Sequence, residues 1–151
     1  MQTVLCPTRG GDASYPNQDR AIALAKERGA RLVFLYVTDV RFLFKGSAAL
    51  VVDMEHELDE MGEFLLTMAQ ERAEKQGVTA EAIVRHGSFR QAVSEVAESY
   101  QVSLIVFGAP GEDRLTNVSY LRELADELRR EHNVEVLLVR QGLEVGPEDD
   151  D

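Results

Sequence analysis

Residues 84–111 read V-R-H-G-S-F-R-Q-A-V-S-E-V-A-E-S-Y-Q-V-S-L-I-V-F-G-A-P-G, and this stretch decides the fold. Ser88 and Gln91 have the spacing of a capping box, so we expect a helix to begin at Phe89. An apolar strand at 102–107 follows and ends in a glycine-proline turn. The inner face of the helix is predicted to comprise Ala92, Val93, Val96, Ala97 and Tyr100.

The same alternation of strand and helix extends outward in both directions. Continuous apolar runs such as Leu32–Val37 are typical of parallel strands that are buried on both faces. The alternation predicts right-handed crossovers and helices on both faces of one sheet, a Rossmann-type α/β fold. The predicted strands are Thr3–Cys6, Leu32–Val37, Ala80–Arg85, Val102–Phe107 and Val134–Val139. Helices are predicted from Pro16 to Arg28 with Gly29 as the stop, from Asp53 to a stop at Gly77, from Phe89, and from a start within Thr116–Ser119. The inner face of the last helix is predicted to comprise Leu121, Leu124, Ala125 and Leu128.

The second helix shows the clearest periodicity. We expect Asp53 to be its N-cap and residues 40–52 to form a loop that is partly helical. Its buried stripe is predicted to comprise Met54, Leu58, Met61, Leu65 and Met68, extended by Ala69 and Ala73.

Ligands of such sheets bind outside the carboxyl ends of the strands, where the strand order reverses. The loops concerned are Pro7–Ser14, Val37–Val52 and Gly108–Ser119. In the first loop, Gly10 and Gly11 precede a helix N-terminus, which is a generic anion site, and Arg9 would add a phosphate donor. The alternative is that the two glycines form only a tight turn. Gly108-x-x-Gly111 is a second phosphate candidate that turn geometry explains equally well.

Charge excludes several functions. The 151 residues contain 27 acidic and 16 basic side chains, a net charge of −11 and a pI near 4.7, which argues against binding to nucleic acid or to anionic membranes. Five of the acids lie in 141–151, which we expect to be a disordered tail following a single domain at 1–140. The remaining 22 acids against 16 bases leave a mildly acidic body with a charge of −6.

The single cysteine, Cys6, lies in an apolar strand, so we interpret it as a small buried hydrophobe in a reducing compartment. No secretory signal or membrane-spanning run is present in the sequence, and we expect a cytoplasmic protein. His56 and Glu60 share a helix face but lack the second histidine of a zinc motif, so no metal site is predicted. His86 and His132 have no serine or cysteine partner suggested by the sequence, and no catalytic triad is predicted.

In order and spacing, these pieces resemble the universal stress protein family. T-V-L-C-P-T-R-G resembles that family's opening I-L-V-P-x-D-G-S, and L-V-F-L-Y-V-T-D resembles its second strand. Residues 84–111 resemble its strand, helix and G-x-x-G strand, and V-E-V-L-L-V-R resembles its final P-V-L-V-V strand. The resemblance implies a five-stranded parallel sheet in the order 3-2-1-4-5, like adenine-nucleotide alpha-hydrolases, and a homodimer.

One branch of that family binds ATP through G-x-x-G-x₉-G-[ST] and an Asp after the first strand. Gly108 and Gly111 match, whereas Leu121 and Arg122 stand where the motif has Gly-Ser or Gly-Thr, and Arg9 stands at the Asp position. The chain therefore resembles the branch that lacks a complete motif, and no cofactor is expected, with ATP or AMP as the alternative. The candidate ligand-binding residues are Pro7, Thr8, Arg9, Gly10, Val37, Gly108, Gly111, Asn117 and Ser119.

Three functions compete. The leading hypothesis is a non-enzymatic, dimeric stress-response module that pairs through Val134–Val139. The second is a sensor in which Arg9, Arg114, Thr116 and the residues above hold a nucleotide or another anion, with 42–44 as a lid. The third is an enzyme such as an ATP pyrophosphatase, which the altered loop residues disfavour.

Overall fold

A mostly parallel sheet forms the centre of the computed structural model, which describes residues 2–38, 48–109 and 118–145. Its strands are β1 (Thr3–Pro7), β2 (Arg31–Thr38), β3 (Ala80–His86), β4 (Leu104–Gly108), β5 (Glu135–Arg140) and β6 (Leu143–Glu144). The helices are α1 (Tyr15–Arg28), α2 (Ala48–Lys75), α3 (Phe89–Ser99) and α4 (Val118–His132), with a 3₁₀ turn at Asp12–Ser14. None of the helices in these ranges is long and apolar enough to cross a membrane.

The strand order is 3-2-1-4-5-6, so the predicted order of the five parallel strands is confirmed. β1 lies between β2 and β4 and pairs in parallel with both. The sixth strand was not predicted: β6 pairs antiparallel with β5, with Arg140 opposite Leu143. The expectation of a disordered tail is therefore wrong for 141–145, while 146–151 lie outside the described residues.

Each face of the sheet has its own apolar core because side chains alternate along every strand. Cys6 and Phe34 face α1 and α2, whereas Leu5 and Leu35 face α3 and α4. The inner faces predicted for the last two helices are confirmed. The buried residues there are Ala92, Val93, Val96, Ala97, Leu121, Leu124, Ala125 and Leu128, with Tyr100 half-buried beside them.

Helix ends follow their local sequence. Gly29 ends α1 in the left-handed region with φ of 60°, as predicted for a C-terminal glycine. Ser88 caps α3, where its Oγ accepts a 3.1 Å hydrogen bond from the Gln91 backbone N–H. Only this half of the predicted capping box is present, because the Gln91 side chain bonds to Glu95.

The second helix differs from expectation in its start and in its buried face. It begins at Ala48, so Asp53 lies inside the helix and is not its N-cap. Met61 is 54% exposed, and the fully buried positions follow the glycine at 62, comprising Leu66, Ala69 and Ala73. A Cβ at Gly62 would lie 2.7 Å from Tyr36 Cδ1, so α2 approaches the sheet through its smallest residue. This close approach rotates the methionine stripe partly into solvent.

We predict that Gly62→Ala lowers the free energy of unfolding by about 1–3 kcal/mol, because the added methyl group clashes with the Tyr36 ring. At an unobstructed helical position the same substitution would stabilise the folded protein by about 0.5–1 kcal/mol. The sign of the change in unfolding free energy therefore shows whether the clash with Tyr36 exists. Urea unfolding measures the difference. In a Tyr36→Ala background the penalty should disappear, and a Gly62→Ala protein more stable than the parent would contradict this account.

Candidate functional site at the carboxyl ends of the strands

The carboxyl ends of β1, β2 and β4 lie side by side at one edge of the sheet, facing the first turns of α1. Pro7 is in register with Leu35, and Leu5 is in register with Ile105. Thr8, Val37 and Gly108 therefore lie at nearly the same height along the strand direction. We call this region the mouth and define it by Thr8, Gly10, Asn17, Gln18, Thr38 and Gly108. It lies where the strand order reverses, as the sequence predicts for a ligand site.

Thr8 organises the mouth. Its backbone N–H donates to the Leu35 carbonyl at 2.8 Å, which continues the β1–β2 pairing past the end of β1. Its Oγ1 accepts a hydrogen bond from the Gly10 N–H at 3.1 Å and another from Gln18 Nε2 at 3.0 Å. The Thr8 hydroxyl proton remains available, since both of these bonds use the oxygen as acceptor.

Two buried polar atoms near the mouth have no hydrogen-bond partner. Gln18 is 1% exposed and Thr38 is 4% exposed. Gln18 Oε1 and Thr38 Oγ1 find no partner among the described residues. Leaving such an atom buried and unpaired costs about 1–3 kcal/mol, so each of the two oxygens needs a hydrogen-bond donor that the described residues do not supply.

Sequence reasoning missed Gln18 and Thr38. The signal for Gln18 lay in its helix position, since it shares the buried face of α1 with Ala21, Ile22 and Ala25. A glutamine at the spacing of core residues points to a polar contact within the fold. Thr38 follows a fully apolar strand and offered no comparable signal.

Both glycines of the first loop adopt a backbone conformation with positive φ, and Gly10 also packs closely against α2. A Cβ at Gly10 would lie 2.6 Å from Leu65 Cβ, and its φ is 75°. Gly10 is therefore required for the loop to pack against α2, which supports the tight-turn interpretation for this residue. Gly11 also has φ of 75°, but its α-carbon faces open space.

Asn17 occupies the space above Gly108, and the sequence did not indicate it. A Cβ at Gly108 would lie 2.6 Å from Asn17 Nδ2, so the absence of a side chain at 108 admits this amide. Asn17 Oδ1 accepts a 2.9 Å hydrogen bond from the Gly142 N–H. The close approach expected between Gly108 and a phosphate is made here by a side chain of the same chain.

The other predicted site residues separate into three groups. Pro7 is buried at the end of β1, and Val37 is half-buried and packs toward α3 and α4. Arg9 is exposed and forms no hydrogen bond or ion pair with any described residue, while Ser119 is exposed in the first turn of α4. Outside the described residues lie Gly111, Arg114, Thr116, Asn117 and the predicted lid at Phe42, Leu43 and Phe44.

Two histidines pair with carboxylates of α2. His56 Nε2 lies 2.9 Å from Glu60 Oε1 on an exposed helix face. His86, at the end of β3, places Nε2 at 2.8 Å from Asp59 and Nδ1 at 3.5 Å from Glu55. The two carboxylates contact opposite nitrogens of one ring, and these contacts connect α2 to β3.

His132 corrects the expectation that no serine partner exists. Its Nε2 lies 2.8 Å from Ser94 Oγ, which joins the end of α4 to α3. No described residue bonds to the other ring nitrogen, so the third member of a triad is missing from this part of the chain. The pair lies near the start of β5, at the edge of the sheet opposite the mouth.

Two clefts among the described residues also lie away from the mouth, one between α1 and the C-terminal part of α2 and one beside the C-terminal ends of both helices. Their volumes are about 410 and 450 Å³, and they share Lys26. The cations there, Lys26, Arg72 and Lys75, lie near helix C-termini, where positive charge offsets the helix dipole. At the second cleft, Arg31 pairs with Glu81 and holds the pKa of that carboxyl below its usual range. The helix C-termini and the Arg31–Glu81 pair therefore account for the positive charges beside these clefts.

Burial removes Cys6 from thiol chemistry. The side chain is 1% exposed, and desolvation raises the pKa of its thiol to about 12. A thiol with this pKa carries almost no thiolate near neutral pH, which agrees with the interpretation of Cys6 as a small core residue.

The strand order and the helices on both faces define a Rossmann-type α/β protein, with the mouth at the switch point of its sheet. The chain belongs to the universal stress protein family, whose model matches residues 1–140. It is 32% identical over 139 residues to the universal stress protein YxiE of Bacillus subtilis, covering 87% of this chain and 93% of that protein. A universal stress protein of Methanocaldococcus jannaschii is 29% identical over 142 residues, covering 91% and 81% of the two chains.

Solved structures agree with the fold. UspA from Lactobacillus plantarum superposes with a TM-score of 0.72 at 19% identity, covering 92% of this chain and 97% of that one. A universal stress protein in complex with cAMP superposes with a TM-score of 0.66 at 25% identity, covering 91% and 96% of the two chains.

We predict that the Cys6 thiol of the folded protein reacts at least about 100-fold more slowly with an aromatic disulfide reagent at pH 8 than the thiol of the urea-unfolded chain. Absorbance of the released thiolate measures both rates. Cys6→Ser provides the blank. Prompt labelling of the folded chain would contradict the burial described here.

Proposed function

We propose that this universal stress protein is a non-enzymatic regulatory module that binds an adenine nucleotide or a related phosphate-bearing ligand reversibly at the mouth. The observation that carries the proposal is the pair of buried, unpartnered oxygens on Gln18 and Thr38. A similar protein is described in complex with cAMP, which supports a nucleotide as the ligand class.

The chemistry of the mouth suits a ligand with both donors and acceptors. Gln18 Oε1 would accept a hydrogen bond from a base amino group or a sugar hydroxyl. The hydroxyls of Thr8 and Thr38 would donate to ring nitrogens or phosphate oxygens. Arg9, exposed and without a described ion pair, would lie near a phosphate.

The ligand is expected to carry one phosphate group in preference to three. Leu121, at the position of the motif's glycine, is 3% exposed and packs in the core, so it offers no contact to a phosphate chain. This departure supports placing the chain in the branch without a complete ATP motif. A nucleoside monophosphate or cyclic monophosphate fits the remaining groups better than ATP does.

The proposal excludes turnover at this site. Thr8, Gln18 and Thr38 carry no group that titrates near neutral pH, as general acid–base catalysis would require. The thiol of Cys6 and the Ser94–His132 pair both lie elsewhere. Turnover of ATP that disappears in an Arg9→Ala variant would restore the enzyme hypothesis.

The proposed protein also pairs with a second copy of itself. The strand β5, whose outer side is paired only with the two-residue β6, carries Val136 and Leu137, which are half-buried in the single chain. An edge-to-edge contact of two β5 strands would cover them. A single buried cysteine is in keeping with the reducing cytoplasm as the compartment.

We predict that AMP or cAMP raises the melting temperature of the protein and that ATP does so less. Gln18→Leu should weaken nucleotide binding by about 100-fold or more, because it removes the acceptor that the ligand satisfies. The folded state should lose little stability, since the unpaired oxygen is removed as well. Calorimetric titration measures the affinity, and thermal unfolding measures the stability.

The matched control is Gln76→Leu, which changes an exposed glutamine near the C-terminus of α2 and should leave the affinity unchanged. The proposal fails if no adenine nucleotide shifts the melting temperature and denatured protein releases none. It also fails if Gln18→Leu binds as tightly as the parent protein.

A further inference from the structure

The C-terminal segment Gln141–Val145, here called the cap, folds back onto the edge of the sheet. Gln141 and Gly142 form a two-residue hairpin turn with φ of 53° and 81°. Positive φ at both positions is the geometry of a type I′ turn, in which Asn-Gly is preferred. Gln141 is less suited to this conformation, and β6 is only two residues long. The cap is therefore a short element whose turn is not built from the preferred residues.

The cap covers the upper half of the β5 edge. Val145 N–H donates to the Leu138 carbonyl at 2.7 Å, and Arg140 pairs with Leu143. On the lower half, Arg129 donates to the Val136 carbonyl at 2.9 Å. The outward carbonyls of Val136 and Leu138 thus both accept hydrogen bonds from the same chain. A second copy can pair along β5 only after the cap is displaced.

The same cap is attached to the mouth. Gly142 N–H donates to Asn17 Oδ1 at 2.9 Å, and a Cβ at Gly142 would lie 3.0 Å from the Pro16 carbonyl. The Nδ2 atom of the same Asn17 amide packs over the backbone of Gly108. One side chain therefore contacts both the end of β4 in the mouth and the turn of the cap.

We propose that Asn17 and the cap couple the mouth to the β5 edge, so that a ligand and a second copy of this chain favour each other. A ligand that approaches the Gly108 backbone takes the place of the Asn17 amide, which then releases Gly142. The cap opens, and the β5 edge becomes available for antiparallel pairing with the same edge of a second copy. This inference rests on the proposed ligand site and adds the change in dimerisation that ligand binding would produce.

The coupling is reciprocal. If the ligand raises the dimerisation constant by some factor, dimerisation must raise the ligand affinity by the same factor. Leu143 is 75% exposed on β6, and Val145 packs against the core while remaining partly exposed, so Val145 accounts for the apolar burial that opening the cap would lose.

The experiment uses the full chain with point substitutions at the turn and measures the dimer dissociation constant by sedimentation velocity. Gly142→Ala should tighten dimerisation about tenfold, because it strains a residue at φ of 81° and crowds Pro16. Gln141→Asn should weaken it about threefold to fivefold, because it favours the turn. These two variants are expected to act in opposite directions.

The matched control is Gly77→Ala, which imposes similar strain at φ of 79°, far from the cap and in open space. It should leave the dissociation constant unchanged. Equal effects of Gly142→Ala and Gly77→Ala would overturn the proposal, as would tighter dimerisation of Gln141→Asn. Circular dichroism of each variant confirms that the fold is retained.

Asn17→Ala tests the connection to the mouth without any ligand. It should tighten dimerisation to the level of Gly142→Ala, and an unchanged constant would overturn the coupling. AMP should tighten dimerisation of the parent chain but add nothing in Asn17→Ala. AMP that binds without changing the parent dimer also overturns the coupling. Absence of AMP binding contradicts the proposed function, while the turn variants and Asn17→Ala still decide this inference.

Discussion

The pairing of β1 with β2 on one side and β4 on the other is the constraint on which the rest of the structure depends. The four residues Val4, Leu5, Cys6 and Pro7 are all buried, so the strand is covered on both faces and along both edges. Two separate cores form against it, and each fixes a pair of helices. The same pairing brings the end of β1 beside the ends of β2 and β4, which creates the mouth.

Within the mouth, small residues and amides determine what can bind. At both Gly10 and Gly108, another side chain of the same chain occupies the place that a Cβ would take. This side chain is Leu65 at Gly10 and Asn17 at Gly108. What remains unsatisfied is polar and buried, on Gln18 and Thr38. The charge that distinguishes the entrance is Arg9, which is positive in a chain whose net charge is −11. An anionic ligand with hydrogen-bonding groups is the class proposed for this site.

Local sequence signals predicted most of the fold because each was short-range. Apolar runs located the five parallel strands, Gly29 located the end of α1, and the Ser88–Gln91 spacing located the start of α3. The buried face of α2 was predicted only in part: Ala69 and Ala73 are buried as expected, whereas Met61 is exposed. Periodicity alone does not contain the tertiary contact of Gly62 with Tyr36 that turns Met61 outward. β6 was missed because a two-residue strand has no pattern of its own and depends on a turn.

The candidate site was predicted in its location but only partly in its residues. Topology placed the mouth, and Thr8, Gly10 and Gly108 lie there as expected. Asn17 and Gln18 were missed because their importance arises from what α1 faces after folding. The cap escaped notice because the acidic composition of 141–151 masked a turn at Gln141-Gly142.

A phosphate-bearing nucleotide is proposed to bind among Gln18, Asn17 and Gly108. The most direct test is a titration of ¹⁵N-labelled protein with AMP, followed through amide resonances in two-dimensional NMR spectra. The side-chain amides of Gln18 and Asn17 and the backbone amides of Gly108 and Gly142 should shift together with one dissociation constant. Shifts confined to the α1–α2 clefts around Lys26, or no shifts at all, would contradict the account.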